Sequence, residues 1–435
     1  MKKILLPFLV CCLLPTLALA RQSLSLEQAV ALALKNNPSV EAKLLLLEQA
    51  RMNVGVAQSF FWPRVSLISS YNRVSNFEEQ QAYSVDDLSA RTWNSGARLS
   101  LSLFAGFSHL NGLQKSRIAV EVEKARHQQA QHELACNVQL QFLQLLKLRE
   151  DRKSADKAVE RIKTQLHAAE EFVKVGMAPY ANVLQNKTEL LRAEQQVIRV
   201  KNDIRNAEVQ LAKYLGLKDG QEVDYQGELA AYGTAVAYGE LDAIKAALKY
   251  RPDLIIAKKT VQLAYKDMHI RLGEYLPRVD ANLDSMKYSR DYDETRFSDY
   301  TRRYWAAGIS FSWEIFSGGQ TTFASLAEKK RAESLQKDFE DAVAGARTDV
   351  IRALLDISAA RELIQTTRAG IVAAQENYDM ASKRYMTNVG TITELVDAQL
   401  KLSQAETDAS EALMEFQNAR ARFFFYIGKI NASLR

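Results

Sequence analysis

The sequence of this chain repeats itself once, and this repetition limits the possible folds more than any other feature. Residues 26–65 align with residues 240–279 without a gap. The alignment resumes at Trp93 and Trp305 and continues to the end of each copy. The separation between matched residues changes slightly in the segment after Pro63 and Pro277. The matched pairs include prolines, tryptophans and glycines, namely Pro38/Pro252, Pro63/Pro277, Trp93/Trp305, Gly106/Gly318 and Gly216/Gly428. The chain is therefore a duplication of one structural unit.

Each copy is predicted to contain a β-hairpin after an opening pair of helices. The period of the apolar residues changes there from that of a helix to that of a strand. In the first copy the alternating apolar residues are Ala97, Leu99, Leu101 and Leu103, which oppose Arg98, Ser100 and Ser102. In the second copy they are Trp305, Ala307, Ile309, Phe311, Trp313 and Ile315. The hairpins are expected at about residues 63–105 and 277–317.

Glycine and proline almost disappear after each hairpin, which predicts very long helices. About 60 residues of helix, with a rise of 1.5 Å each, make a rod of roughly 90 Å. Apolar residues recur with helical spacing at Val138, Phe142 and Leu145, and at Val350, Leu354 and Ile357. This spacing predicts that the rods pack as in a coiled coil. Breaks near Gly176 and Asn388 separate each rod from a second one of about 35 residues, so that the helical parts cover about 107–215 and 320–428.

The N-terminal segment, positions 1–20, has the features of a secretory signal peptide. Lys2 and Lys3 precede an apolar run that ends in Ala18-Leu19-Ala20. An N-terminal membrane anchor is one alternative, but Pro15 interrupts a run that would need roughly 20 apolar residues. A lipid anchor at Cys11 or Cys12 is the other, but neither cysteine follows the Gly, Ala or Ser that a lipidation site requires. We expect cleavage after Ala20, with one repeat in 21–240 and the other in 241–435. Cys136 is then the only cysteine left, so no internal disulfide is predicted.

Composition and motifs disfavour a nucleic-acid-binding protein and an enzyme. The chain has 57 Lys and Arg against 52 Asp and Glu, which is too balanced to indicate a nucleic-acid partner. Its five histidines are scattered, and no metal-binding pair, phosphate-binding glycine loop or nucleophile elbow is present. The sequence therefore predicts no catalytic residue, no metal site and no cofactor.

The hairpins have one apolar and one polar face, which suits strands that cross a lipid bilayer. An ordinary hairpin packed on the helices is the alternative. Aromatic residues expected at the membrane interfaces are Phe61, Trp62, Trp93, Trp305 and Trp313. Four strands per chain cannot close a barrel, since small barrels need about eight. A cyclic trimer would supply twelve strands.

Two segments resemble signatures of the TolC-like outer-membrane efflux protein family. ALKYRPDL (residues 247–254), followed by LPRV, is similar to the ALxxRPDL…LP pattern, and RYMTNVGTITELVDAQ (384–399) is similar to the family's second-repeat turn. The resemblance implies an α+β membrane protein with a duplicated helix–β-hairpin–long-helix repeat. It also implies a homotrimer whose twelve-stranded β-barrel, in the cell outer membrane, continues into a twelve-helix α-barrel tunnel in the periplasm.

The resemblance further implies a passive exit duct for small molecules or drugs. Its expected partners are a periplasmic adaptor (membrane fusion) protein, an inner-membrane pump of the RND or ABC type, and the lipid bilayer. An outer-membrane component of type I protein secretion is an alternative, and so are a periplasmic coiled-coil scaffold and a secreted trimeric adhesin.

The same resemblance indicates a periplasmic gate where the helices turn. Glu394 and Asp397 match the two acidic positions of the family motif, and in a trimer they would form a ring that favours cations. A solvated helix face near a helix N-terminus is the alternative. Tyr385 matches a tyrosine that helps to hold such channels shut. Asn388 replaces a usual glycine, and Asn182 stands in the first repeat where Glu394 stands in the second.

Overall fold

The computed structural model describes residues 22–75, 89–218, 223–229, 238–292 and 298–430. The expected signal peptide, at positions 1–20, lies outside the described residues.

None of the helices in the described part of the chain combines the length and the apolar character needed to cross a membrane.

Eight α-helices in the described residues follow the order of the duplication. They are α1 (Leu26–Asn36), α2 (Pro38–Ser59), α3 (Ser108–Lys174), α4 (Tyr180–Leu215), α5 (Glu240–Tyr250), α6 (Pro252–Leu272), α7 (Gln320–Met386) and α8 (Ile392–Tyr426). Helices α3 and α7 have 67 residues each. Each is therefore a rod of roughly 100 Å, slightly longer than the sequence predicts.

Local sequence explains where the first helices begin. The Ser25 side chain accepts from the backbone N–H of Gln28 and the Gln28 side chain accepts from that of Ser25, which is a capping box for α1. The Asn37 side chain accepts from the backbone N–H of Ser39, and Pro38 occupies the first turn of α2. Proline fits there because its missing N–H has no intrahelical partner at that position.

The two hairpins join into one antiparallel sheet. Its strands are β2 (Arg64–Ser75), β3 (Ser89–Ala105), β5 (Arg278–Tyr292) and β6 (Tyr300–Ser312), in the spatial order β2-β3-β5-β6. A separate parallel pair is formed by β1 (Gln22–Leu24) and β4 (Val223–Tyr225). Strands β2 and β6 are thus the two edges of the large sheet within one chain.

The register of the large sheet separates an apolar face from a polar one. Leu99 is paired with Val65 on one side and with Leu283 on the other, and these three side chains lie on the same face. On the opposite face, Arg98 forms an ion pair with Asp284 at 2.6 Å. This separation agrees with the alternation in the sequence.

Two details of the sheet differ from the prediction. Strand β6 ends at Ser312, so the expectation that it continues through Trp313 and Ile315 is wrong. Ser312 pairs with Arg278, the first residue of β5, and the preceding residue is Pro277, which has no N–H to donate. A shift in register between Ser102 and Phe104 also places Leu103 in a bulge, outside the regular alternation predicted for it.

The helices bury a core in each repeat. One cluster lies between α1, α3 and α4 and includes Phe142 and Leu211, and a second lies between α5, α7 and α8 and includes Val350 and Phe423. The predicted core residues Val138, Phe142 and Leu145 are buried, as are Val350 and Ile357. Helix α3 also packs on α6 and α8, which joins the two repeats into one body.

We expect Gly106→Ala to destabilise the protein at the junction between the sheet and the helices. Gly106 has a φ of +60°, and an added Cβ would overlap the backbone of Gly273. The left-handed backbone alone costs an alanine about 1–2 kcal/mol. In the matched control, Gly112→Ala in α3, the new Cβ meets no atom within 4 Å, and the helix should gain about 0.8–1 kcal/mol. Thermal unfolding followed by circular dichroism measures both changes in stability. Equal shifts of the melting temperature in the two variants would contradict the assigned junction.

Candidate functional site at the helix turns

The candidate gate lies at the end of the rods that is farthest from the sheet. Helices α3 and α7 begin close after β3 and β6, so their other ends are roughly 100 Å away. There α3 turns into α4, and α7 turns into α8. The chain reverses within short connections at each turn, 175–179 and 387–391.

Both turns use one residue with a left-handed backbone. Gly176 has a φ of +75° in the first turn, and Asn388 has a φ of +57° in the second. Asparagine tolerates this conformation better than most residues, which explains how Asn388 replaces the expected glycine. The backbone N–H groups of Val389 and Gly390 both donate to the Arg384 carbonyl oxygen at 2.9 Å. The turn is thus closed by its own backbone.

Tyr385 anchors a small apolar cluster directly above the second turn. Its side chain is only 4% exposed and packs with Ile392 and Leu395 of α8. The ring of Phe172 meets the Tyr385 ring edge-on, with 6.0 Å between centroids. Because Phe172 belongs to α3, the cluster connects the two helical hairpins. Burial raises the pKa of the Tyr385 hydroxyl, and the neighbouring Asn186 side chain partly offsets this shift.

Glu394 and Asp397 are both exposed and lie one turn apart on α8, as the sequence predicts for residues at this spacing. Each has a cationic neighbour. Glu394 lies 3.8 Å from an Arg384 nitrogen, and Asp397 lies 2.7 Å from the Lys401 ammonium. Lys401 could have been found from its i,i+4 spacing. Arg384 could not, because this contact crosses the turn.

Asn182 lies at the start of α4 and supplies a backbone contact to a residue that the sequence analysis missed. Its carbonyl oxygen accepts from the Asn186 side chain at 3.0 Å. Asn186 is completely buried and influences the pKa of Tyr385. The sequence contains one indication of this role, because Asn186 is a polar residue three positions after the apolar Val183 and so lies on the same helix face. The first turn carries no acid equivalent to Glu394, so the acidic positions lie in the second turn.

A polar contact between α3 and α8 holds the second hairpin in place above the turn. The Arg161 guanidinium makes two contacts of 3.3 Å with the Glu406 carboxylate and lies over the ring of Tyr378, 5.7 Å from its centroid. Gln165 donates to the Tyr378 hydroxyl at 3.2 Å. These residues were not predicted, because nothing in the sequence pairs positions so far apart along the chain.

The structure divides the five predicted interface aromatics into two groups. Phe61 and Trp62 follow α2, and Trp313 follows β6, where its indole N–H donates to the Tyr275 carbonyl oxygen at 3.0 Å. These three lie at the end of the sheet that adjoins the helices, which we call its base. Trp93 and Trp305 lie within β3 and β6, roughly 20–40 Å along the strands from that base.

The family profile described as "Outer membrane efflux protein" matches residues 29–217 and 243–429. The chain belongs to the outer membrane efflux protein family. The two matched segments correspond to the two copies of the duplication.

Individual relatives agree over nearly the whole length. The chain is 21% identical to outer membrane protein TolC of Escherichia coli (strain K12), over 99% of this chain and 85% of that protein. It is also 21% identical to outer membrane efflux protein BepC of Brucella suis biovar 1, over 93% of this chain and 86% of that protein.

Solved structures show the same fold. The outer-membrane channel CmeC of Campylobacter jejuni matches with a TM-score of 0.82 and 16% identity, over 93% of this chain and 86% of that one. The outer-membrane channel OprN matches with a TM-score of 0.80 and 20% identity, over 93% and 90%.

Family membership and fold together confirm the main sequence predictions. The chain is a subunit of an outer-membrane channel for efflux and secretion, with its helical part in the periplasm. It acts as a homotrimer together with a periplasmic adaptor protein and an inner-membrane pump. The periplasmic scaffold and the secreted adhesin are set aside.

The assigned sheet faces can be tested at two adjacent residues of β6. Ile309 pairs with Ala281 on the apolar face, and Ser310 pairs with Asp280 on the polar face. We expect Ile309→Arg to reduce insertion into the outer membrane strongly, since arginine on the lipid face near the bilayer midplane costs about 2–4 kcal/mol. Ser310→Arg is the matched control and should insert nearly normally. Quantitative blotting of outer-membrane fractions measures both, and equal yields would mean that the faces are wrongly assigned.

Proposed function

We propose that the two helix turns form the periplasmic mouth of this channel and that Tyr385, Glu394 and Asp397 control it. The observation that carries the proposal is their arrangement at one end of the rods. A buried cluster around Tyr385 joins the two hairpins, and exposed carboxylates lie close to it on α8. Packing of this cluster keeps the mouth narrow, and the carboxylates set which ions approach it.

Three copies of the chain bring six carboxylates to the mouth, which favours cations. Arg384 and Lys401 reduce this effect, because each lies beside one of the acids. Both ion pairs are exposed, and exposed pairs contribute little energy. We therefore expect a moderate cation preference that is strongest at low salt, because salt screens exposed charges over about 10 Å at 0.1 M.

The duct itself is proposed to be passive and to have no catalytic activity. Within the described residues, no group of three or more His, Cys, Asp or Glu side chains is placed to hold a metal ion. In this proposal the inner-membrane pump supplies the energy, and the chain supplies a route across the periplasm and the outer membrane.

Small molecules are the proposed cargo. A pyoverdine export outer membrane protein, OpmQ of Pseudomonas putida, matches 92% of this chain at 19% identity. Protein secretion is the second candidate, since AprF of Pseudomonas aeruginosa, an alkaline protease secretion protein, is 25% identical over 42% of this chain. The match to AprF covers less than half of either chain, whereas the matches to the efflux and export proteins are nearly complete. Comparing export of a dye with secretion of a protein, from cells that lack other exit channels, distinguishes the two cargoes.

Replacing both Glu394 and Asp397 with alanine should weaken the cation preference of the purified trimer. The change removes six negative charges from a narrow mouth and lowers the local negative potential. The reversal potential in planar bilayers under a salt gradient measures the preference, and the difference should shrink towards about 1 M salt. Asp356→Ala with Glu362→Ala is the control, because these exposed acids lie far from the turn on α7. An unchanged reversal potential would mean that Glu394 and Asp397 are only part of a solvated helix face and do not affect ion selectivity.

Tyr385→Ala should open the mouth more than Tyr385→Phe. Truncation of a buried aromatic side chain to alanine costs about 3–5 kcal/mol, because it leaves a cavity among Phe172, Ile392 and Leu395. Phenylalanine keeps the ring and loses only the hydroxyl. Single-channel conductance at low voltage is the measurement. If the alanine variant conducts like the parent protein while trimer yield is normal, Tyr385 does not hold the mouth closed.

A further inference from the structure

The two repeats of one chain meet along a polar seam between α3 and α6. Three lysines make contacts across it: Lys266 with Gln114 and Asn111, Lys115 with Asp267, and Lys259 with Glu121. The Lys266 ammonium lies 2.5 Å from the Gln114 side-chain oxygen, and the Lys115 ammonium lies 2.5 Å from the Asp267 carboxylate. We call this set of contacts the lysine seam.

The duplication defines a second pair of surfaces that corresponds to the lysine seam. Helix α7 is the copy of α3 in the alignment that matches Gly106 with Gly318, and both helices have 67 residues. Helix α2 is the copy of α6 in the alignment that matches Pro38 with Pro252, and both begin with these prolines. In a ring of copies, the α7 of one chain therefore faces the α2 of the next chain, as α3 faces α6 within a chain.

Apolar residues replace the lysine contacts on these corresponding surfaces. Met52 occupies the position of Lys266, Leu326 that of Gln114, Phe323 that of Asn111, and Leu45 that of Lys259. All four are exposed in the single chain, by 69%, 49%, 72% and 58% respectively. The Lys115–Asp267 ion pair is replaced by the uncharged Ala327 and Asn53. Glu333, at the position of Glu121, is paired with Lys330 of its own helix at 2.7 Å.

We propose that α2 of one copy packs on α7 of the next copy through these apolar residues. Met52 lies between Phe323 and Leu326 of the neighbouring chain, as Lys266 lies against Asn111 and Gln114 within one chain. We call this contact the apolar seam. It rests on the trimeric assembly of the family and does not depend on the gate proposed above.

The difference between the two seams favours correct assembly of the copies. If α6 entered the place of α2, Lys266 would lie against Phe323 and Leu326 without an acceptor, and a buried unpaired ammonium is strongly unfavourable. If α2 entered the place of α6, Met52 would leave the amides of Asn111 and Gln114 unpaired. Each wrong contact is penalised, so the seams favour a ring in which the repeats alternate correctly.

Chemical cross-linking tests which chains each seam connects. Met52→Cys with Leu326→Cys, in a Cys136→Ala background, places two thiols on the apolar seam. Lys266→Cys with Gln114→Cys is the matched control on the lysine seam. After treatment of the detergent-purified protein with a short bismaleimide, the first variant should give covalent species of two and three chains on denaturing gels. The control should stay at the mass of one chain, with its internal link visible by peptide mapping.

The apolar seam is overturned if the Met52→Cys/Leu326→Cys variant stays at the mass of one chain while the control forms its internal link and light scattering shows a trimer. A parent protein that is itself a single chain in mild detergent would overturn the seam together with the family assembly. Failure of the gate would show in the reversal potential or the conductance of an intact trimer, so the two proposals fail separately.

A charge substitution with a designed rescue provides a second test. Met52→Lys should lower the yield of trimer by about tenfold or more, because it buries an unpaired ammonium between copies. Adding Phe323→Asn and Leu326→Gln recreates the contacts that Lys266 makes in the lysine seam and should restore most of the yield. All three positions are exposed in one chain, so the helix content by circular dichroism should be unchanged. A normal trimer yield for Met52→Lys alone would contradict the proposal.

Discussion

The backbone hydrogen bonds of the sheet edges are the constraint on which the rest of this structure depends. A strand in a lipid bilayer cannot give its N–H and C=O groups to water, so each edge has to find another strand. Strands β2 and β6 are both edges within one chain. Neighbouring copies satisfy them, and a homotrimer of this family closes the sheet with twelve strands. The long helices that follow each hairpin are then arranged in the same ring.

The duplication explains why one chain can supply two similar parts of the ring and still carry two different sets of contacts. Helices α3 and α7 have equal lengths and end in turns of the same geometry, with Gly176 and Asn388 at the left-handed position. Their surfaces have diverged. The lysine seam lies inside the chain, between α3 and α6, whereas the corresponding surfaces on α2 and α7 are apolar. A contact within one chain forms at high effective concentration, while a contact between chains has to be made by copies that meet in the membrane.

The helix turns combine a rigid feature with an adjustable one. The cluster around Tyr385 is buried and connects α3 with α7 and α8, so separating the two helical hairpins has to disrupt packing there. The acids at Glu394 and Asp397 are exposed, and their charges are moderated by Arg384 and Lys401. In the gate proposed above, packing of this cluster keeps the mouth narrow, and the carboxylates determine which ions approach it. Arg161 and Glu406 fix the position of α8 on α3 farther along the same rods.

The sequence by itself determined the repeat, the helices and the hairpins, because each of these depends on local periodicity and on prolines at fixed places. It also placed Glu394 and Asp397 on one exposed face of a helix, since their i,i+3 spacing is a local property. The end of β6 was decided by its partner β5, which begins after Pro277, and this depends on the register between strands. The contacts of Arg384 with Glu394 and of Arg161 with Glu406 were likewise decided only by the tertiary structure. Such pairs join residues whose distance in space depends on how two helices are aligned, and no local pattern in the sequence encodes that alignment.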